Sequence, residues 1–268
     1  MSQLSEKKMI SASDALSNVF SDCVREFDHI CPKCGEKIYH TFNNKSGVDK
    51  IDFYTMCLCQ ERSYELEAIQ KLKNNKAEII KNNKSRCGFV QRDLDELNMK
   101  TITHKGNIEA YDAIIEYADN FSKNVTMGFY IYGETGVGKS LLAKKCMAKI
   151  LNKGFSAYIT SVSKLMNDIK KEYNNSTRIT FDWCIDVDLL VLDDFGAERC
   201  TDHDLDQLFL LLETRWRECK PIIITSNLNL QELSTRYDKY GRIYSRVIGT
   251  CRPILVKDKD RRIEGVEL

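Results

Sequence analysis

The chain has 268 residues, with 40 Lys and Arg against 39 Asp and Glu, and 11 Cys. That length admits one large domain or two modest ones, and the balanced charge argues neither for nor against nucleic acid, so any basic surface has to be local. No charged-then-apolar opening and no apolar run of about 18 residues is present, so the chain is expected to be neither secreted nor membrane-spanning, and a cytoplasmic location with reduced thiols is the expectation.

The first feature in chain order is a pair of cysteine couples, Cys31-Pro-Lys-Cys34-Gly and Cys57-Leu-Cys59, separated by a polar stretch containing NNKSG. Two short couples on tight turns, joined by a hairpin, aim four thiolates at one point and complete a closed tetrahedral site, the pattern of structural Zn²⁺. A segment this short has few apolar side chains from which to build a core and needs such a staple. Ordinary small core residues are the alternative. Cys23, His29 and His40 lie close enough in sequence to replace one ligand, and the Cys57-x-Cys59 spacing is the less usual of the two couples. Cys87, Cys146, Cys184, Cys200, Cys219 and Cys251 show no pairing pattern and read as core or surface thiols. Ile38, Tyr39 and Phe42, with Phe53 and Tyr54, either cover the metal site or form a docking face.

After Cys59, Leu66, Ile69 and Leu72 fall at helical spacing, followed by Ile79 and Ile80, so the sequence predicts a charged helix that frays at its Asn-rich end. The polar, irregular stretch NNKSRCGFVQRDLDELNMKTITHKGN reads as a linker. The organisation expected is a metal-binding front domain over 1–60, a helix and linker over 61–88, and a catalytic domain over 89–268.

From residue 107 helices and apolar strands alternate: IEAYDAIIEYADNF, GFYIYG, SLLAKKCMAKILNKG, SAYIT, VSKLMNDIKKEYNN, DLLVLDD, DLDQLFLLLETRWREC and PIIITSN. The layout predicts an α/β fold with a mostly parallel sheet flanked by helices. GETGVGKS, residues 133–140, sits between a strand and a helix, where a phosphate loop has to be. Glycines let successive N–H groups and the following helix N-terminus face phosphate oxygens. The nucleotide set is then Gly133, Glu134, Thr135, Gly136, Val137, Gly138, Lys139, Ser140 and Leu141. Lys139 is suited to the β- and γ-phosphates of ATP and the Ser140 hydroxyl to Mg²⁺.

A carboxylate is also required at the tip of a neighbouring strand, and VDLLVLDDFG supplies Asp193 for the Mg²⁺ water shell and Asp194 to orient or deprotonate the attacking water. PIIITSN ends in Thr225, Ser226 and Asn227, whose amide is a candidate for holding that water. YGRIYSRVIG places Arg242 and Arg246 four apart on one face of a short helix, either solvated or offered to a neighbour's γ-phosphate.

The phosphate loop, LLVLDDFGAE, LLETRWRECKPIIITSNLNLQEL and GRIYSRV, in this order, resemble the AAA+ ATPases of the DnaC/DnaI helicase-loader group over roughly residues 88 to 256. The resemblance implies that Asn227 is the sensor-1 residue and that Arg246 is the arginine finger, with Arg242 second. It also implies that the cysteine-bearing front domain grips a replicative hexameric helicase, that the protein assembles in an ATP-dependent ring or spiral, and that single-stranded DNA is held inside it. ATP binding and hydrolysis are then expected to act as the switch, with slow turnover because Asp194 stands where many AAA+ proteins have Glu. No separate helical lid is expected. Lys164, Lys170 and Lys171, with Arg178, are candidates for the DNA contact or for a solvated helix face. The same core resembles the helper ATPases of insertion-sequence transposition. A nucleotide-gated DNA-binding adaptor is the third reading.

Overall fold

The computed structural model describes residues 23–43, 52–90, 93, 97, 108–174, 179–198, 200–237 and 241–258. The chain divides into two compact units, with the division between Asn75 and Lys76.

In the first unit, strands β1 (Cys23–Ile30), β2 (Lys37–Asn43) and β3 (Asp52–Tyr54) form an antiparallel sheet in that order. A β-bulge interrupts the β1–β2 register between Phe27 and His29. Its only apolar cluster among the described residues gathers Ile38 with Cys31 and Cys57, against which Cys59 packs. Helix α1 (Leu58–Ser85) begins in this unit and continues across the division.

The sequence predicts fraying at the Asn-rich end of α1, but the helix runs through it to Ser85. Contacts inside the second unit explain the difference. Asn83 Nδ2 donates to the Gly154 carbonyl at 3.1 Å, and the Arg86 guanidinium lies 3.8 Å from the centre of the Trp183 ring. The stretch read as linker likewise starts as part of the fold: Cys87 is buried, and its carbonyl accepts the Ile159 N–H at 2.9 Å.

The second unit is a five-stranded sheet in the order β5-β6-β7-β4-β8, built from β4 (Gly128–Tyr132), β5 (Ala157–Ser161), β6 (Leu189–Phe195), β7 (Ile222–Ser226) and β8 (Cys251–Leu255). Every pairing is parallel. The connecting helices are α2 (Ile108–Asn120), α3 (Lys139–Asn152), α4 (Val162–Asn174), α5 (Ile179–Asp186), α6 (Asp202–Arg217), α7 (Leu230–Tyr237) and α8 (Arg242–Thr250).

Apolar runs without polar alternation have to bury both faces of a strand, and these do. Leu190, Leu192, Ile222 and Ile224 enter one core, against α4 to α8, while Leu189, Val191, Ile223, Phe129 and Ile131 enter the other, against α2 and α3. Parallel strands bring their carboxyl ends to a single edge, which is where ligands bind in open α/β sheets. Residues that follow β4, β6 and β7 therefore converge.

Candidate nucleotide site and cysteine cluster

The loop after β4 turns on glycine. Gly133 has φ 152°, and a Cβ there would stand 2.1 Å from the carbonyl oxygen of Val256, which follows β8. The same junction is tied by the Val256 N–H donating to the Tyr132 carbonyl at 2.7 Å. Gly138 is left-handed at φ 94° and caps α3 with no side-chain hydrogen bond, so the first N–H groups of that helix are left for a ligand. Val137 anchors the loop in the core, whereas Glu134 and Thr135 are exposed and Gly136, Ser140 and Leu141 are half-buried.

Lys139 is buried, and its ammonium donates to the Gly133 carbonyl at 3.0 Å, the Glu134 carbonyl at 2.6 Å and Asn227 Oδ1 at 2.7 Å. The carboxylates lie one strand further away than the sequence suggests. Asp193 and Asp194 sit on β6, and β7, which carries Asn227 beyond its tip, lies between β6 and the loop strand β4. The inserted strand brings Asn227 within hydrogen-bond reach of the loop lysine. Asp193 Oδ1 accepts the Thr225 hydroxyl at 2.5 Å, and the Asp194 N–H donates to the same hydroxyl oxygen at 3.0 Å.

The candidate fingers differ in surroundings. Arg246 is half-buried, ion-paired with Glu213 and 4.4 Å from the Trp216 ring centre. Glu213 also takes Arg217 at 2.7 Å, and the two guanidinium groups, working against desolvation, hold its carboxyl below the usual range. Arg242 is exposed, 5.7 Å from the Phe209 ring centre. Of the candidate DNA contacts, Lys164 is exposed, Lys170 is 2.9 Å from the buried Asp204, and Lys171 is 3.7 Å from Asp168. Arg178 lies outside the described residues.

Two features escape a reading of motifs. Glu198, buried just past β6, receives the Gly196 N–H at 2.8 Å and the Tyr237 hydroxyl, while Arg236 donates to its carbonyl, so the acidic turn is tied to α7. Arg215 on α6 is fully buried and donates to the carbonyls of Cys184, Ile185, Val187 and Pro221 at 2.7 to 3.0 Å. Desolvation lowers its pKa to about 10. A Glu in the block DDFGAE and an Arg between Thr214 and Trp216 carry no signature that would single them out.

In the first unit, the sulfurs of Cys31, Cys34, Cys57 and Cys59 lie within 4.8 Å of one another. Three of the separations are 3.1, 3.3 and 3.6 Å, against roughly 3.8 Å for a tetrahedron with Zn–S of about 2.3 Å. The donor set and spacing fit Zn²⁺. The first couple lies in the turn after β1 as expected. The second, expected on another tight turn, is instead formed as α1 begins: the Gln60 and Glu61 N–H groups bond the Cys57 carbonyl, and Gln60 Oε1 reaches back to the Cys57 N–H at 3.2 Å. Backbone N–H groups of Cys34 and Lys33 lower the Cys31 thiol to about 6, while sharing with Cys57 and Cys31 raises Cys59 to about 12.

Neither His29, paired with Asp28 in the open, nor His40 joins the cluster among the described residues. The side chains of Cys23, Phe42, Phe53 and Tyr54 lie outside the described residues. Ile38 covers the sulfurs, and Tyr39 stands edge-on to Phe27.

A family model described as IstB-like ATP binding protein matches residues 92–263. The chain belongs to this family. Among curated relatives, it is 30% identical over 136 residues to the replicative helicase loader DnaC of Buchnera aphidicola subsp. Baizongia pistaciae, covering 49% of this chain and 55% of that one. It is 22% identical over 189 residues to the replicative helicase loader DnaI of Bacillus subtilis, covering 65% and 61%. This member of the family thus spans between about half and three-fifths of the curated relatives it matches. A crystal structure of DnaI superposes with a TM-score of 0.56 at 24% identity, covering 64% of this chain and 97% of that one, a likeness of fold. No described helix is long and apolar enough to cross a membrane.

Proposed function

We propose that this protein is an ATP-dependent loader that binds a replicative hexameric DNA helicase and delivers it onto single-stranded DNA. The observation that carries the reading is the coexistence of a four-thiol cluster in the first unit with the Lys139–Asn227 arrangement in the second. The kinship to loaders named DnaC and DnaI supports it.

The chemistry follows from the residues. The loop from Gly133 to Ser140 wraps the phosphates with N–H groups, and Lys139 exchanges its carbonyl and amide partners for β- and γ-oxygens. Ser140 and Asp193 would hold Mg²⁺, which supplies neutralisation of phosphate charge. Asp194 orients or deprotonates the attacking water, and Asn227, released from Lys139, holds that water against the γ-phosphate. Arg246 of the next subunit, with Arg242 as the alternate, adds positive charge to the same phosphate in a ring or spiral. Four thiolates would hold Zn²⁺ as a structural staple of the helicase-binding unit. Lys164 and Lys171 remain the better DNA candidates, because Lys170 is held at 2.9 Å by the buried Asp204, whereas Lys171 is more exposed and its pairing with Asp168 is longer, at 3.7 Å.

The test is size exclusion with light scattering on the full chain, ATP, Zn²⁺ and the replicative helicase of the same source. A defined complex, lost in a Cys31→Ser, Cys34→Ser variant, is expected. Failure to form a complex despite intact ATP and DNA binding would move the assignment to the second reading, a helper ATPase of insertion-sequence transposition. That reading is favoured by the family description itself, and capture of a transposase would then be the positive result.

A further inference from the structure

Strands β6 and β7 lose register at the acidic pair. Leu192 pairs with Ile224 and Phe195 with Ser226, so Asp193 and Asp194 together face the single residue Thr225. A two-against-one mismatch breaks the ladder and leaves backbone groups without their strand partner. Asp194 also has φ 53°, a left-handed conformation uncommon outside glycine that Asp tolerates better than most residues.

Thr225 fills the break. Its hydroxyl oxygen accepts the Asp194 N–H at 3.0 Å, and its proton goes to Asp193 Oδ1 at 2.5 Å. One hydroxyl thereby satisfies the orphaned donor and aims the carboxylate. Thr225 is fully buried, so water does not compete for either bond. Its neighbours along the strand are Ile222, Ile223 and Ile224. A valine would match their β-branching and volume equally well, which makes the hydroxyl, not the shape, the distinctive property of this position.

We propose that Thr225 is a positioning residue for nucleotide-bound metal: it orients Asp193 and pins the bulge that presents Asp194. The inference rests on the ATPase reading of this site.

The test compares full-length wild type, Thr225→Val and Thr225→Ser. Three quantities are measured: affinity for a fluorescent ATP analogue in EDTA, the gain in that affinity when Mg²⁺ is added, and turnover. In EDTA, Val binds within about twofold of wild type, because Thr225 is bonded to the acidic pair and not to the phosphate loop. The Mg²⁺ gain and the turnover both fall roughly tenfold to hundredfold in Val, as expected for loss of a hydrogen bond to a charged group, and Ser restores them to within about threefold.

A Val variant with a wild-type Mg²⁺ gain, or a Ser variant as impaired as Val, overturns the proposal. If Val does not fold, Thr225→Ala against Thr225→Ser carries the same comparison, and equal Mg²⁺ gains in those two overturn it. A wild type that binds no nucleotide sinks the ATPase reading and this inference with it, a result distinct from a binding-competent wild type matched by Val.

Discussion

Lys139 Nζ stands 2.7 Å from Asn227 Oδ1, linking the start of α3 to the end of β7. The same ammonium is held by two carbonyls of its own loop. A phosphate entering the loop competes for all three bonds, so occupancy is communicated to Asn227 through a single ammonium. Lys139→Ala is expected to abolish nucleotide binding. Asn227→Ala removes a hydrogen bond to a charged group while sparing the loop, so its affinity stays within a fewfold of wild type and its turnover falls about ten- to a hundredfold. Equilibrium titration with a fluorescent nucleotide, beside steady-state phosphate release, separates the two variants. Equal loss of affinity in both would show Asn227 to be part of the phosphate cradle rather than a sensor.

Arg246 poses a competition between roles. Its guanidinium is committed to Glu213 and Trp216 of its own chain, and a finger has to leave them to reach a neighbour's phosphate. Arg246→Ala is expected to cost about 1 to 2 kcal/mol of stability through the lost ion pair and stacking. It should also remove DNA-stimulated turnover while leaving nucleotide binding intact. Mixing experiments decide whether the finger acts between subunits: Arg246→Ala chains keep the phosphate loop, Lys139→Ala chains keep the finger, and a mixture recovers part of the activity each lacks alone. Wild-type hydrolysis by Arg246→Ala with single-stranded DNA would refute the assignment.

The cysteine cluster predicts a lesion confined to one unit. Cys31→Ser with Cys34→Ser leaves two thiolates, too few for a closed site, and the apolar cluster of that unit among the described residues is built on the same sulfurs. Metal analysis should fall from one Zn²⁺ per chain to none, and the first unit should unfold. Nucleotide affinity of the second unit should hold within about twofold, since its core is separate. Stoichiometric zinc in the double variant would dismiss the four-thiol site.

How far the sequence could be read depended on whether a feature is local. The phosphate loop, the acidic strand end and the cysteine couples are short patterns whose chemistry dictates their spacing, and each was legible as a stretch of chain. The order of strands was not, because pairing depends on distant partners. Placing β7 between β4 and β6 turned an expected neighbour of the loop into one removed by a strand. Helix α5 also went unread, since ITFDWCID is too short to show a period. The end of α1 read as frayed because the Asn83, Arg86 and Cys87 partners come from residues 154, 183 and 159. Arg215 passed without remark inside LLETRWREC for the same reason.

Arg215 lets that blind spot be measured. Its four carbonyl partners come from the end of α5 and the start of β7, so one side chain closes the backbone of two connections. Arg215→Ala would strand those acceptors and open a cavity in a buried region, at an expected cost of more than about 3 kcal/mol. Chemical denaturation of the full chain should show the midpoint of the second unit falling without a change in the first. A cost below about 1 kcal/mol would mean that water replaces the guanidinium.

Asp188 supplies the pH dependence. Its carboxylate, one residue before β6, accepts the Ser156 N–H at 2.8 Å and the Ser156 hydroxyl at 2.9 Å, and pairs with Lys123 at 2.8 Å. Burial pushes its carboxyl up, but Lys123 and the Ser156 donors outweigh that, and the net shift is downward. A depressed carboxylate contributes stability that is present above its unfolded value, about 3.9, and is lost as pH falls through the lower folded value. Lys123 is largely exposed, so the Ser156 bonds carry most of the effect. Asp188→Asn should therefore cost about 1 kcal/mol at pH 7, and the gap to wild type should close below about pH 4. Thermal unfolding of both proteins across pH 3 to 7 checks this, and a gap unchanged down to pH 3 would show that shape, not charge, holds the β5 and β6 entrances together.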